Sequence, residues 1–274
     1  MRVLAINDIS CIGKCSLSVS LPILSACGVT CDLLPTAILS THTGGFTGYT
    51  FKDLTQDIPA ILAHWRTLGI RFDYVYSGYL GSIQQIKLVF EIKREFLSGS
   101  GKFIVDPVMG DSGKLYAGFP PEYVEKMREL CREADFILPN ATEACYLAGT
   151  PYPSESNEYP IDEVLTRLSS LCARPIVTGI VKKDENAVWY LDETGNKRKY
   201  RSENIEGFFC GAGDVFASAF VGALASGKAE DKAIALAAEF TTAACRRSAN
   251  EVLDKRYGLN FEKEIFTFLK NLNA

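Results

Sequence analysis

The feature of this chain that most restricts its fold is a regular alternation between short, almost entirely apolar runs and longer stretches of helical period. The runs fall at residues 2–6, 30–39, 74–77, 103–105, 136–138 and 176–178. A strand with one solvated face alternates apolar and polar side chains, whereas near-continuous apolar runs suit strands covered on both faces. Between them, helical patterns occupy 16–26, 54–68, 83–97, 122–131, 141–148 and 161–172. Parallel strands need crossover connections, usually helices, so the alternation predicts an α/β fold with a mostly parallel central sheet flanked by helices. Beyond 178 the pattern changes. Two β-rich runs at 187–191 and 198–200 flank a Thr194-Gly195-Asn196 turn, which predicts an antiparallel hairpin at the sheet edge. The last third reads as helices at 212–226, 229–248 and 262–272.

No linker or internal repeat divides this pattern, and the most polar loop, 151–160, separates elements of the same kind, so residues 1–274 are expected to form one domain. At 47% apolar and 23% charged residues the chain can bury a sizeable core. A net charge of −4 gives no basic surface for nucleic acid. The first apolar run meets Asn7 and Asp8 too early for a signal peptide, and the longest helical apolar stretch, 215–225, is about half of the roughly 20 residues a membrane span needs. A cytoplasmic protein without membrane attachment is therefore expected.

Nine cysteines, an odd number without an export signal, argue for reduced thiols. Two CxxxC pairs, Cys11 with Cys15 and Cys27 with Cys31, have spacings that zinc could use. Cys27 ends a helical run and Cys31 lies in the following strand-like run, positions that suit small buried hydrophobes better. Cys11 and Cys210 fall nearest the residues discussed next.

The sharpest segment is Gly207-Phe208-Phe209-Cys210-Gly211-Ala212-Gly213-Asp214, which leads into the small, apolar stretch 215–220. Two glycines entering a helix allow close backbone approach and leave free N–H groups facing an anion, where the helix dipole also favours negative charge. Asp214 there is either a base for a hydroxyl or a partner of the dipole. Ligands of open α/β sheets bind past the carboxyl ends of the strands, so polar residues there become candidates. Asn140 and Glu143, three apart at a helix start, share a face; the spacing suits a capping box or a hard, partly hydrated cation. Asp106 and Asp111 bracket a Pro-and-Gly turn, where aspartate either bonds its own backbone or attracts a cation.

Together these segments resemble the ribokinase superfamily and, within it, the pyridoxal (vitamin B6) kinases. Gly211-Ala212-Gly213-Asp214 is similar to the GxGD anion-hole and base motif. Ser77-Gly78-Tyr79-Leu80-Gly81, Asp106-Pro107-Val108-Met109-Gly110-Asp111 and Pro139-Asn140-Ala141-Thr142-Glu143 resemble B6-kinase segments in the same order. Ser40-Thr41-His42-Thr43-Gly44 is similar to their Ser-Asn-His-Thr segment, and the matches extend from about residue 4 to 225.

The resemblance implies a ribokinase-like three-layer sandwich that phosphorylates the 5′-hydroxymethyl group of pyridoxal, pyridoxamine or pyridoxine with ATP. It implies Asp214 as general base, the amides of Gly211, Ala212 and Gly213 as anion hole, and an Mg-ATP site from Asp106, Asp111, Asn140 and Glu143. Asp111, Asn140 and Glu143 would carry the magnesium, partly through water. Thr178 and Gly179 stand where the family contacts ATP; the neighbouring Lys182 and Lys183 either screen phosphates or form a solvated face. Asp8, Ser10, Thr43 and Tyr79 would line the acceptor pocket, and His42 either joins them or hydrogen-bonds within its loop. Asp8 departs from the family, where serine is usual; a carboxylate could pair with a pyridine nitrogen, an aminomethyl group or an aminopyrimidine. This keeps open a hydroxymethylpyrimidine kinase of thiamine biosynthesis, and a non-catalytic vitamer or nucleotide binder is the further alternative. A monovalent cation such as potassium and a homodimer are implied by the resemblance, and Gly44, Gly45 and Gly48 suggest a mobile flap over 41–50.

Overall fold

The computed structural model describes residues 1–154, 158–182, 185–251 and 254–274. The elements run β1 (Arg2–Ile12), α1 (Leu17–Ala26), β2 (Thr30–Thr41), β3 (Phe51–Asp53), α2 (Ile58–Thr67), β4 (Phe72–Ser77), α3 (Ile83–Phe96) and β5 (Leu97–Val105). They continue with β6 (Gly110–Asp111), β7 (Lys114–Leu115), α4 (Pro121–Arg132), β8 (Phe136–Ile137), α5 (Ala141–Ala148) and α6 (Ile161–Ser169). The chain closes with β9 (Ile176–Lys182), β10 (Glu185–Leu191), β11 (Lys197–Glu203), α7 (Ala212–Ala225), α8 (Glu230–Asn250) and α9 (Ile265–Leu272).

The central sheet has the order β3-β2-β1-β4-β5-β8, parallel except for β3, which pairs antiparallel with β2. Single bridges from Ile137 to Pro175 and from Asn140 to Thr178 carry the parallel order on to β9. There β10 and β11 complete the antiparallel edge expected from the sequence. Two apolar clusters sandwich the sheet. One joins α1, α7, α8 and α9 through Val19, Phe216, Phe220, Leu236 and Phe268. The other joins α2 to α6 through Leu62, Val89, Met127, Leu147 and Leu168. This is the ribokinase-like α/β sandwich. Among the described residues no helix is long and apolar enough to cross a membrane.

The main departures from the sequence reading are at the strands. β1 continues past Ile6 through Asn7, Asp8 and Ser10, because each of those buried polar side chains finds hydrogen-bond partners. The exposed edge strand β3 has no counterpart in the expected elements. β9 does not end at Thr178 but runs on to Lys182, with Gly179 at φ +70°.

Candidate active site

Strand β1 pairs with β4 only as far as Ile6 opposite Ser77, but stays with β2 to Ile12 opposite Thr41. The two strands therefore part where the strand order reverses, the place at which open α/β sheets hold a ligand crevice. Asn7 follows directly on Ile6 there, fully buried. Its Oδ1 accepts from the N–H groups of Tyr79 at 2.8 Å and Asp8 at 3.0 Å, and its Nδ2 donates to Asp214 Oδ1 at 3.4 Å. The side chain can lie there because Gly78 has no β-carbon; one would stand 2.3 Å from Asn7 Nδ2. Sequence reading passed over Asn7, although a polar residue directly after an apolar strand and before Asp8 was a usable signal.

Gly211 caps α7 in the left-handed conformation, φ +79°. Ala212 N–H makes a long 3.3 Å bond to the Phe209 carbonyl, and no acceptor within the chain is recorded for the N–H groups of Gly211 or Gly213 among the described residues. Gly213 faces open space. The helix thus presents free donors and the positive end of its dipole to the crevice, an arrangement suited to phosphate. Asp214, in the same first turn, has its pKa raised to about 6, chiefly by burial and further by the charge of Asp8, while the Ser16 N–H and the Asn7 amide lower it.

Beyond the apolar part of β1, Asp8 is buried, taking hydroxyl bonds from Ser16 at 2.5 Å and Ser10 at 3.3 Å. Burial pushes its pKa up and the two hydroxyls pull it down. The Tyr79 hydroxyl is pushed up to about 12 by burial, then by Asp8. Its ring packs 5.9 Å from Phe119, which stacks on Tyr123 at 4.0 Å. Phe119 went unnoticed in the sequence because no local pattern ties it to Tyr79. His42 uses both ring nitrogens within the structure: Nδ1 accepts from Gly44 N–H at 3.1 Å, so Nε2 is the donor to the Arg256 carbonyl at 2.5 Å. That makes it a loop hydrogen-bonder, buried and packed against Phe46 at 5.1 Å. Thr43 is exposed on the same loop.

Beyond the ends of β5 and β8, Asn140 and Glu143 form a complete capping box at the start of α5. Glu143 Oε2 accepts from Asn140 N–H at 2.9 Å, and its Oε1 accepts from Met109 N–H at 3.0 Å, tying α5 to the turn after β5. Burial lifts the Glu143 pKa to about 8 against those donors. Asp106 is buried beside it, its ionisation opposed by burial and then by the charges of Glu143 and Asp214. No hydrogen-bond donor is recorded for the Asp106 carboxylate among the described residues. A buried carboxylate left without donors and facing two others is a place where a cation relieves repulsion, so the donor set fits a hydrated divalent ion accompanying phosphates. Asp111 is exposed on the β6–β7 hairpin and accepts from the next residue's N–H, Ser112, at 2.7 Å. Thr178 donates its N–H to the Pro139 carbonyl at 2.9 Å, which keeps β9 beside the Asn140 loop. Lys182 pairs with Glu158 at 2.5 Å on the surface, and Lys183 lies outside the described residues.

All nine cysteines are unpaired, five of them buried. Cys11 is exposed, and Cys15, which the sequence did not single out for the site, lies within electrostatic reach of Asp214, Cys210 and Asp8. Among the described residues no group of three His, Cys, Asp or Glu side chains is placed to hold a metal by itself.

A parallel sheet whose strand order reverses, a helix end with free amides and an aspartate within its first turn are the layout of the ribokinase-like fold class. Within it, the chain belongs to the phosphomethylpyrimidine kinase family, whose model matches residues 21–258. It is 33% identical over 202 residues to a pyridoxine kinase of Bacillus subtilis, covering 70% of this chain and 71% of that one. The pyridoxal kinase structure from Lactobacillus plantarum is similar at 32% identity and a TM-score of 0.89 over 98% of this chain and 96% of that one. A Bacteroides thetaiotaomicron protein crystallised with pyridoxal is similar at 34% identity and a TM-score of 0.91, over 100% of this chain and 96% of that one. The match spans 48% and 62% of the length of curated relatives from Caenorhabditis elegans and Saccharomyces cerevisiae.

Proposed function

We propose that the chain transfers the γ-phosphoryl group of ATP to the 5′-hydroxymethyl group of pyridoxal, pyridoxamine or pyridoxine. The observation that carries this reading is Asp214 in the first turn of α7, beside unpaired N–H groups and opposite the β1–β4 crevice, in a chain so similar to B6-vitamer kinases. The acceptor hydroxyl gives its proton to the Asp214 carboxylate as its oxygen bonds to phosphorus and the bond to ADP breaks. The amides of Gly211, Ala212 and Gly213 face the charge on the moving phosphoryl group, a preorganised donor set of the kind that lowers such barriers. Asp8, Ser10, Tyr79, Thr43 and His42 line the acceptor ring, while Asp106, Asp111, Asn140, Glu143, Thr178 and Gly179 lie on the ATP side. Magnesium, when bound, supplies charge neutralisation on the phosphate oxygens; Asp111, Asn140 and Glu143 would hold it largely through water, since Asn140 and Glu143 already serve as caps. The same reading includes a monovalent cation such as potassium, a homodimer and a cytoplasmic setting.

The second reading, phosphorylation of a hydroxymethylpyrimidine, is favoured by the Asp8 carboxylate, which can accept from an aminopyrimidine. Comparing kcat/KM for the three B6 vitamers and for hydroxymethylpyrimidine decides between them; a clear preference for the pyrimidine overturns the B6 assignment. Asp214→Asn tests catalysis itself. We expect activity to fall at least about 10²-fold with ATP binding kept, and near-normal turnover would remove Asp214 from the mechanism.

A further inference from the structure

Ser16 is placed at the N-cap of α1, a position where serine ordinarily accepts a hydrogen bond from the first helical turn. Here it makes no such bond. Its hydroxyl donates instead to Asp8 Oδ1 at 2.5 Å, and its N–H stands close enough to the Asp214 carboxylate to favour the charged form. To do both, the residue sits at φ 58° and ψ −131°, a region that strongly favours glycine. A glycine there would keep the N–H contact and relieve the backbone, so the strain and the forgone cap are explained only by what the hydroxyl does. The Ser16 carbonyl accepts from Val19 and Ser20 N–H at 3.0 and 2.9 Å, and from the Ser20 hydroxyl at 3.1 Å, anchoring the residue to α1.

We propose that Ser16 is a positioning residue that fixes the Asp8 and Asp214 carboxylates relative to each other, its hydroxyl presenting Asp8 to the ring of the acceptor while its N–H aims Asp214 at the acceptor's hydroxymethyl group. The inference rests on the assignment of the acceptor crevice above and deepens it, because it makes the Ser16–Asp8 pair a determinant of acceptor affinity.

The test is a double-mutant cycle of Ser16→Gly and Asp8→Asn. It is read as the Kd of pyridoxine by calorimetry in the presence of a non-hydrolysable ATP analogue, alongside Tm and kcat. Ser16→Gly should weaken pyridoxine binding about tenfold, the scale of a lost hydrogen bond to a charged group, while Tm stays level or rises and the affinity for the ATP analogue is unchanged. On the Asp8→Asn background the same substitution should have no further effect on pyridoxine, because the coupling partner is gone. Unchanged pyridoxine affinity in Ser16→Gly, or equal losses on both backgrounds, overturns the proposal. Wild-type protein that fails to bind pyridoxine overturns the acceptor assignment and the inference with it. Asp214→Asn with full turnover removes the base and overturns the role given to the Ser16 N–H, while the Ser16–Asp8 half is judged by the cycle alone.

Discussion

A β-carbon added to Gly211 would stand 2.2 Å from the carbonyl oxygen of Lys14. The loop after β1 is thus pressed against the N-terminus of α7, and the amides proposed as the anion hole owe their placement to this contact. Gly211→Ala combines a backbone overlap with a positive φ, so it should lose about 1–3 kcal/mol of stability and most activity. Gly213→Ala is the informative contrast. With open space around it and a helical backbone, it should melt at the same temperature or higher, yet turn over slowly because the methyl group intrudes where the phosphoryl group must sit. Wild-type kcat in Gly213→Ala, measured beside its melting curve, would place phosphoryl transfer elsewhere.

Asp214 titrates at about 6, raised first by burial and then by Asp8. A base must be ionised to work, so kcat/KM should climb through pH 6 and level off above it, falling about tenfold per unit below. Asp8→Asn removes a neighbouring negative charge and should move that limb to lower pH. The stability effect has the opposite sense. A carboxylate whose pKa is raised on folding contributes stability fully below its unfolded pKa of about 3.9, and loses it as pH rises through 6. Asp214→Asn should therefore melt higher than wild type at pH 7.5, with the gap narrowing toward pH 4. An unshifted limb in Asp8→Asn breaks the proposed coupling.

The parts of this site that were legible in the sequence are those with local signals. Gly211 and Gly213 before Asp214 announce a helix end with free amides, and Asn140 with Glu143 announces a capping box, which the structure forms in full. The apolar runs located the buried strands because both faces of a parallel sheet are covered. What stayed hidden depends on distant partners. Asn7 acquires its place from Gly78 on β4 and from Asp214, 207 positions away. The continuation of β1 through Asn7, Asp8 and Ser10 looked like a strand end because polar residues interrupt the apolar run; only the folded chain supplies their hydrogen bonds. β3 is three exposed residues, held by pairing Ala37 with Asp53 and Leu39 with Phe51, so no hydrophobic pattern marked it. Ser16 carries no sequence sign that its backbone lies in glycine territory.

Glu143 carries two roles that substitution can separate. Glutamine keeps one acceptor for the Asn140 N–H but sets its NH2 group against the Met109 N–H, so Glu143→Gln should lower Tm by the scale of one buried hydrogen bond, about 1–3 kcal/mol. It also removes the carboxylate charge that a bound cation would draw out beside Asp106, and the KM for Mg-ATP should rise by about tenfold if that charge supports the cation, the scale of one charged hydrogen bond. Asn140→Ala should instead lose about 1 kcal/mol through the cap itself. Steady-state kinetics with denaturant melts of both variants separate the roles; an unchanged KM in Glu143→Gln leaves Glu143 as a cap alone.

The loop that sequence reading marked as a flap is tethered in this structure, and the tether is specific. His42 donates to the Arg256 carbonyl and accepts from Gly44 N–H, while Phe46 packs against Tyr257 at 5.3 Å and lies under the Arg256 guanidinium at 5.2 Å. Residues 42–46 and 255–257 should therefore gain and lose order together. His42→Ala cuts the polar link and leaves the aromatic one, so hydrogen exchange should speed up in both segments while the sheet stays protected. Acceptor KM should rise more than ATP KM, because the loop adjoins the acceptor crevice. Faster exchange confined to 42–46, with 255–257 unchanged, would show that the two segments move independently and that the tether does not govern closure over the site.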